Sequence, residues 1–379
     1  MEKVTLEQEL VLLLSKLELI EDEVKYVSDL LNQDLDWSRV VGLLHFHRIV
    51  GNAFCTLKKY NLLNRNKMKY GYLVKILGLV YNAQLHRGEE QLKSVLNICE
   101  LLNKEKIDYV ILKGIVLSNS VYRDMGVRVF NDCDILVKSD QLQQVSTLLK
   151  SQGYIQGEFC HAVNEIKPAK RREIIQQPLI SHELLPFEKK SDSQFIESHI
   201  VDVQFSIDLR TNTRTDDIVN KMIEKSQNVL IKDVPVRTLS WDDTLLFLCI
   251  HFYKEAISYE EIEGYRDILL YKILDIYKLL GNNYIKIDWY NFYKITNEYD
   301  QNKAVYYAFY ILDNIYPNIL PDGCLEKIKP KSTEFVSYVI DKDKNTWVWQ
   351  DEISQRLFTI NKLVNLEMLN DMRVNNNGN

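Results

Sequence analysis

Glycine and proline are scarce in this chain, 13 and 7 of 379 residues, and that scarcity excludes collagen-like, low-complexity and turn-dense all-β architectures. Six cysteines (Cys55, Cys99, Cys133, Cys160, Cys249 and Cys324) form no CxxC pair and no zinc-ligand spacing. Free, mostly buried thiols are therefore expected, not a disulfide or zinc framework. No run approaches the roughly 18 consecutive apolar residues of a membrane span. The opening residues MEKVTLEQEL are acidic and amphipathic and lack the basic-then-apolar order of an export signal, so a cytoplasmic location is expected. Nor is there an excess of positive charge. Lys and Arg number 47 against 53 Asp and Glu, a net of −6, which disfavours a chain built to coat nucleic acid.

What the chain does have is apolar side chain enough for a sizeable core, 46% of residues, and a length that predicts two to three compact units. Residues 1–105 read as helical. Leu6, Leu10, Leu13, Leu14 and Leu17 recur at helical spacing, as do Leu92, Val95, Leu96, Cys99 and Leu102, and Asp36-Trp37 opens another helix between them. Residues 106–240 change texture, with strands over Asp108–Leu112, Asp132–Val137 and His199–Ser206. Ser139 is expected to cap a helix bearing Leu142, Val145, Leu148 and Leu149 on one face and stopping at Gly153. Residues 241–374 return to helix, and 375–379 form a polar tail expected to be disordered. The fold class is α+β: a small mixed sheet flanked by helical regions at both ends.

The chemistry concentrates in the α/β centre. Asp132 and Asp134 are two apart on a strand and share a face. Adjacent carboxylates repel unless a cation neutralises them, and a hard divalent ion with oxygen ligands suits the pair. Asp202 lies on an alternating strand whose polar face continues through Gln204, Ser206 and Asp208, with Val201, Val203, Phe205 and Ile207 turned inward. A third carboxylate from a neighbouring strand would complete a two-metal site. Lys113-Gly114 ends the first strand and precedes a helix through Ile115, Leu117, Ser118 and Val121. That arrangement offers a cation and free backbone N–H groups to phosphate. Arg128, four residues before Asp132, is a further candidate phosphate ligand, and Lys167, Lys170, Arg171 and Arg172 form a basic cluster in a loop after Cys160. His182-Glu183, in a strand or turn, could touch substrate or be structural; His251, beside Leu248 and Cys249 on a helix, reads as a core histidine; Asp275 is a buried-looking carboxylate on an apolar helix, costly unless paired.

Several motifs run together: Leu112-Lys113-Gly114, Tyr122, Arg128 and Asp132-Cys133-Asp134-Ile135-Leu136-Val137, then Val201-Asp202-Val203-Gln204-Phe205. Asp36-Trp37 and His47-Arg48 precede them; His251 and Lys272-Ile273-Leu274-Asp275 follow. This order resembles the nucleotidyltransferase superfamily of the DNA polymerase beta type. It is closer still to a bacterial nucleotidyltransferase family within it that is often found near peptide natural-product genes.

The resemblance implies an enzyme that moves a nucleoside monophosphate from an NTP, ATP among them, to an acceptor hydroxyl or phosphate with release of pyrophosphate. Asp132, Asp134 and Asp202 would be the catalytic residues and would hold Mg²⁺, two ions being expected. Lys113, Gly114, Ser118 and Arg128 would contact the NTP. The acceptor would be a small molecule or a modified peptide, with no role for membrane or nucleic acid. Two departures stand out. The superfamily's Gly-Ser is replaced by Lys113-Gly114, with Ser118 the nearest serine, and the family's downstream histidine is Gln204. Those departures motivate a second reading, a non-catalytic nucleotide-binding or regulatory module on the same scaffold.

Overall fold

The computed structural model describes residues 4–16, 18–207 and 216–369. Leu17, Asp208 and the 375–379 tail lie outside the described residues. Five helices come first: α1 (Leu6–Ser15), α2 (Glu21–Leu31), α3 (Trp37–Phe46), α4 (Val50–Lys59) and the 32-residue α5 (Leu73–Lys104). Asp36 starts α3 by accepting the Arg39 amide on its side chain at 3.0 Å, which satisfies one of the donors that a helix start leaves free.

Eight strands form one mixed sheet: β1 (Tyr109–Ile111), β2 (Asp132–Val137), β3 (Ile155–Cys160), β4 (Glu165–Pro168), β5 (Phe187–Lys190), β6 (Ser198–Gln204), β7 (Gln227–Ile231) and β8 (Val234–Thr238). Their spatial order is β4-β3-β5-β6-β2-β1-β8-β7. β2 runs antiparallel to β1 and parallel to β6. Between the strands lie α6 (Lys113–Leu117), α7 (Leu142–Ser151), α8 (Arg171–Ile180) and α9 (Asp216–Glu224). After the sheet come α10 (Trp241–Ala256), α11 (Tyr259–Glu263), α12 (Leu270–Leu280), α13 (Trp289–Glu298) and α14 (Asn302–Ile315).

The sheet's two faces bury different side chains, which decides where the site lies. Cys133, Ile135, Val137, Val201 and Val203 pack with Leu92, Val95, Cys99, Val145 and Leu149 of α5 and α7. Val110, Leu112 and Leu136 join the larger cluster built on Leu245, Phe252, Ile273, Phe292 and Phe309 of the C-terminal helices. Because side chains alternate along a strand, Asp132 and Asp134 share Leu136's face and look toward α10 and α12.

Some local readings change. Gly153 does close α7's exit in the left-handed region, at φ +84°, where glycine alone is unstrained. Ser139, however, opens a 3₁₀ turn, and its hydroxyl donates to Asp216 at 2.8 Å instead of capping α7. The basic cluster is not in a loop: Lys167 is on β4, paired with Glu158, while Arg171 and Arg172 open α8. The C-terminal stretch read as helical also carries a second sheet of three strands, Tyr338–Ile340, Thr346–Trp349 and Leu366–Met368. All six cysteines are free, four of them buried. Among the described residues, no single helix is long and apolar enough to cross a membrane.

Candidate active site

Strand register assembles the carboxylates. β2 and β6 are parallel with Asp134 opposite Asp202, so Asp132, Asp134 and Asp202 project from neighbouring strands onto one face. Their oxygens come within 4.8 Å of one another. Asp134 is buried, and its Oδ2 has no hydrogen-bond partner in the protein. Burial raises the pKa of Asp134 and of Asp202; the neighbouring carboxylates add to the rise in both, and Lys113 works against it. Three converging oxygen donors, one with an unused lone-pair-bearing atom, fit a hard divalent cation such as Mg²⁺.

Lys113 begins α6 and reaches back over the carboxylates. Its Nζ lies 3.4 Å from Asp134 Oδ1 and 2.6 Å from His251 Nε2. Burial works against its charge, but Asp134, Asp132 and Glu255 together outweigh that and hold its pKa above the ordinary lysine value. Gln204, in the place of the family's histidine, directs its amide Nε2 at Asp134 Oδ1, 3.4 Å away. It therefore still touches the carboxylate set.

The other two expected phosphate ligands, Arg128 and Ser118, are tied to the Gly114 turn. Arg128 is buried and gives Nε and Nη2 to the two oxygens of Asp275 at 2.8 and 2.7 Å. Its Nη1 points at the Gly114 carbonyl, 3.4 Å away. Ser118 is fully buried, and its hydroxyl donates to the same carbonyl at 3.1 Å. Both side chains thus brace the Gly114 turn, and Arg128 also lines a small cavity with Lys113 and Asp132. Asp275, read from sequence as a costly buried acid, has its partners in Arg128 and the Tyr122 hydroxyl, 2.9 Å away.

Gly114 itself has φ +25° and ψ −109°. A Cβ there would meet only ordinary contacts, the nearest being the Asp132 carbonyl at 3.6 Å, so the demand for glycine is conformational. Gly114→Ala is expected to destabilise the fold by about 1–3 kcal/mol in denaturant unfolding and to lower turnover by shifting Lys113.

A cleft of about 1150 Å³ opens in front of the carboxylates. Asp132, Asp134 and Asp202 line it together with His182, the cations Arg48, Lys167, Lys254, Arg266 and Lys272, and the carboxylates Glu158, Glu173, Glu183, Glu188, Glu255 and Glu261. Arg48 follows α3 at φ +56° and sets its guanidinium 5.3 Å from the centre of the Tyr271 ring. Lys254, on α10, is hydrogen-bonded to His182 Nε2 at 2.9 Å; burial lowers the pKa of both groups. His182 thus belongs to the site, as does Lys167, while Arg171 and Arg172 are exposed on α8. Arg48 and Lys254 were not chosen as ligands from sequence. Arg48 was singled out only as part of the His47-Arg48 motif, and Lys254 lies shortly after His251.

A family model described as an uncharacterised nucleotidyltransferase matches residues 33–317. No curated protein matches the chain.

Proposed function

We propose, for a chain that belongs to this nucleotidyltransferase family, that it transfers a nucleoside monophosphate from an NTP to an acceptor hydroxyl or phosphate and releases pyrophosphate. The family makes the chain an enzyme. The single observation that supports the finer reading is the convergence of Asp132, Asp134 and Asp202, with Lys113 against Asp134, in one large cleft.

Asp132, Asp134 and Asp202 would hold Mg²⁺, which when bound would neutralise phosphate charge and acidify the acceptor oxygen. The protein's own contribution is positioning and electrostatics. Lys113 supplies a fixed positive charge beside the carboxylates, and the Gly114 turn sets where it stands. Lys254 and Arg48 place further positive charge on the cleft walls, where the triphosphate would lie. Tyr271 holds the Arg48 guanidinium in place by stacking. The acceptor we propose is a small molecule or a modified peptide, which a cleft of this volume admits beside an NTP.

Incubating the protein with Mg²⁺ and each of ATP, GTP, CTP and UTP, with and without candidate acceptors, should release pyrophosphate. Asp132→Asn should abolish that release. Nucleotide binding without turnover, unchanged by Asp132→Asn, would favour the non-catalytic module instead. That alternative draws on Gln204 and the missing Gly-Ser, but it leaves the repelling carboxylates without a purpose.

A further inference from the structure

Beside Lys113, on the lining of the cleft, runs a line of polar groups, His251 and Glu255 half-buried and Lys272 buried, that the proposed reaction does not itself require. His251 Nε2 is 2.6 Å from Lys113 Nζ. His251 Nδ1 is 3.1 Å from Glu255 Oε2, one helical turn along α10. Lys272 Nζ, from α12, lies 2.5 Å from that same Glu255 oxygen and also donates to the Arg266 and Asp267 carbonyls. An ammonium has only hydrogens to give, so His251 can meet Lys113 only through an unprotonated Nε2. The imidazole proton must then sit on Nδ1, the nitrogen that lies 3.1 Å from the Glu255 carboxylate.

We infer that His251 and Glu255 are positioning residues for Lys113. The neutral imidazole holds the lysine ammonium by its free lone pair at the edge of the carboxylates. The Glu255 carboxylate faces Nδ1 and so favours the accepting tautomer, and Lys272 pairs with that carboxylate from α12. The logic is that of a ligand oriented by the group behind it. Lys113 has two attachments, Asp134 and His251. When a cation draws on the Asp134 oxygens, the His251 attachment is the one that still keeps the ammonium in place. The role rests on the proposed nucleotidyl transfer, whereas the tautomer and the Lys113 contact do not.

The test uses the full-length protein labelled with ¹⁵N-histidine. Long-range ¹H–¹⁵N correlation should show His251 as the Nδ1–H tautomer, and Lys113→Met should displace its Nε2 resonance. In MgATP turnover, His251→Phe keeps the ring volume and loses the acceptor. It should lower kcat by about 10- to 100-fold, with KM for MgATP changed by less than about threefold. His251→Gln, which restores an acceptor oxygen, should recover part of that loss.

An Nε2–H tautomer, or an Nε2 resonance indifferent to Lys113→Met, would overturn the inference. So would His251→Phe and His251→Gln with equal turnover, since that is what a purely structural histidine gives. Should the unmodified protein transfer no nucleotide, the function reading fails while the resonances still decide the contact.

Discussion

Asp202→Asn is expected to raise the melting temperature of the metal-free protein while lowering nucleotidyl transfer by about 10²- to 10³-fold. The two effects have one cause. Burial disfavours the ionised form of Asp202, and Asp134, Asp132 and Glu183 disfavour it further, so its folded-state pKa stands well above the ordinary 3.8. The folded chain therefore holds that proton more tightly than the unfolded chain, and stability falls as pH rises from about 4 toward the raised value. Asparagine keeps the shape and removes the charge. The gain in melting temperature over the unsubstituted protein should be small near pH 4 and grow toward neutrality. Mg²⁺ should narrow the gap by stabilising the protein that retains all three carboxylates. Thermal scans across pH, with and without Mg²⁺, measure this; a lower melting temperature for Asp202→Asn at neutral pH, or undiminished transfer, would refute it.

Arg128→Ala should be the most destabilising change near the site. Both partners of the Arg128–Asp275 pair are almost wholly buried, side chains 4% exposed each. Removing the guanidinium strands a carboxylate that retains only the Tyr122 hydroxyl. Breaking a buried pair on one side costs about 3–5 kcal/mol, whereas replacing both partners by apolar groups is often nearly neutral. A double-mutant cycle with Asp275→Leu and Arg128→Met, read by denaturant unfolding, should show the double variant more stable than either single one. Its turnover should stay low even so, because the Gly114 carbonyl loses a donor. If Arg128 instead bound phosphate in the cleft, Arg128→Ala would raise KM and leave stability alone.

These two expectations mark where a one-dimensional reading succeeds and where it stops. Asp132 and Asp134 share a face because side chains alternate along a strand, a rule that needs no knowledge of the rest of the chain. The Asp36 cap and the Gly153 stop are equally local, each set by the backbone groups of its own turn. The shared strand face of Asp132 and Asp134 and the α+β class were legible from such local patterns.

Arg128 was not. An arginine four residues before a carboxylate pair reads the same whether it faces a phosphate or a buried Asp275 from a helix far along the chain. The same holds for Ser118, whose hydroxyl turned inward to Gly114, and for Ser139, which found Asp216. For Arg128 and Ser139 a distant partner outcompeted the local one, whereas Ser118 bonded back to the carbonyl one helical turn before it. Arg48 stood in the His47-Arg48 motif without a ligand role and Lys254 carried no mark, since a surface cation and a cleft cation look alike until the helices pack.

The sequence by itself determined which residue types could do chemistry and which face of its strand each would take, because those follow from backbone geometry over a few residues. Tertiary structure alone decided that Asp202 stands opposite Asp134, that Arg128 is spent on Asp275, and that α10 brings His251 to Lys113. Register, burial and ion pairing are set by contacts between segments far apart in the chain, and no local periodicity records them.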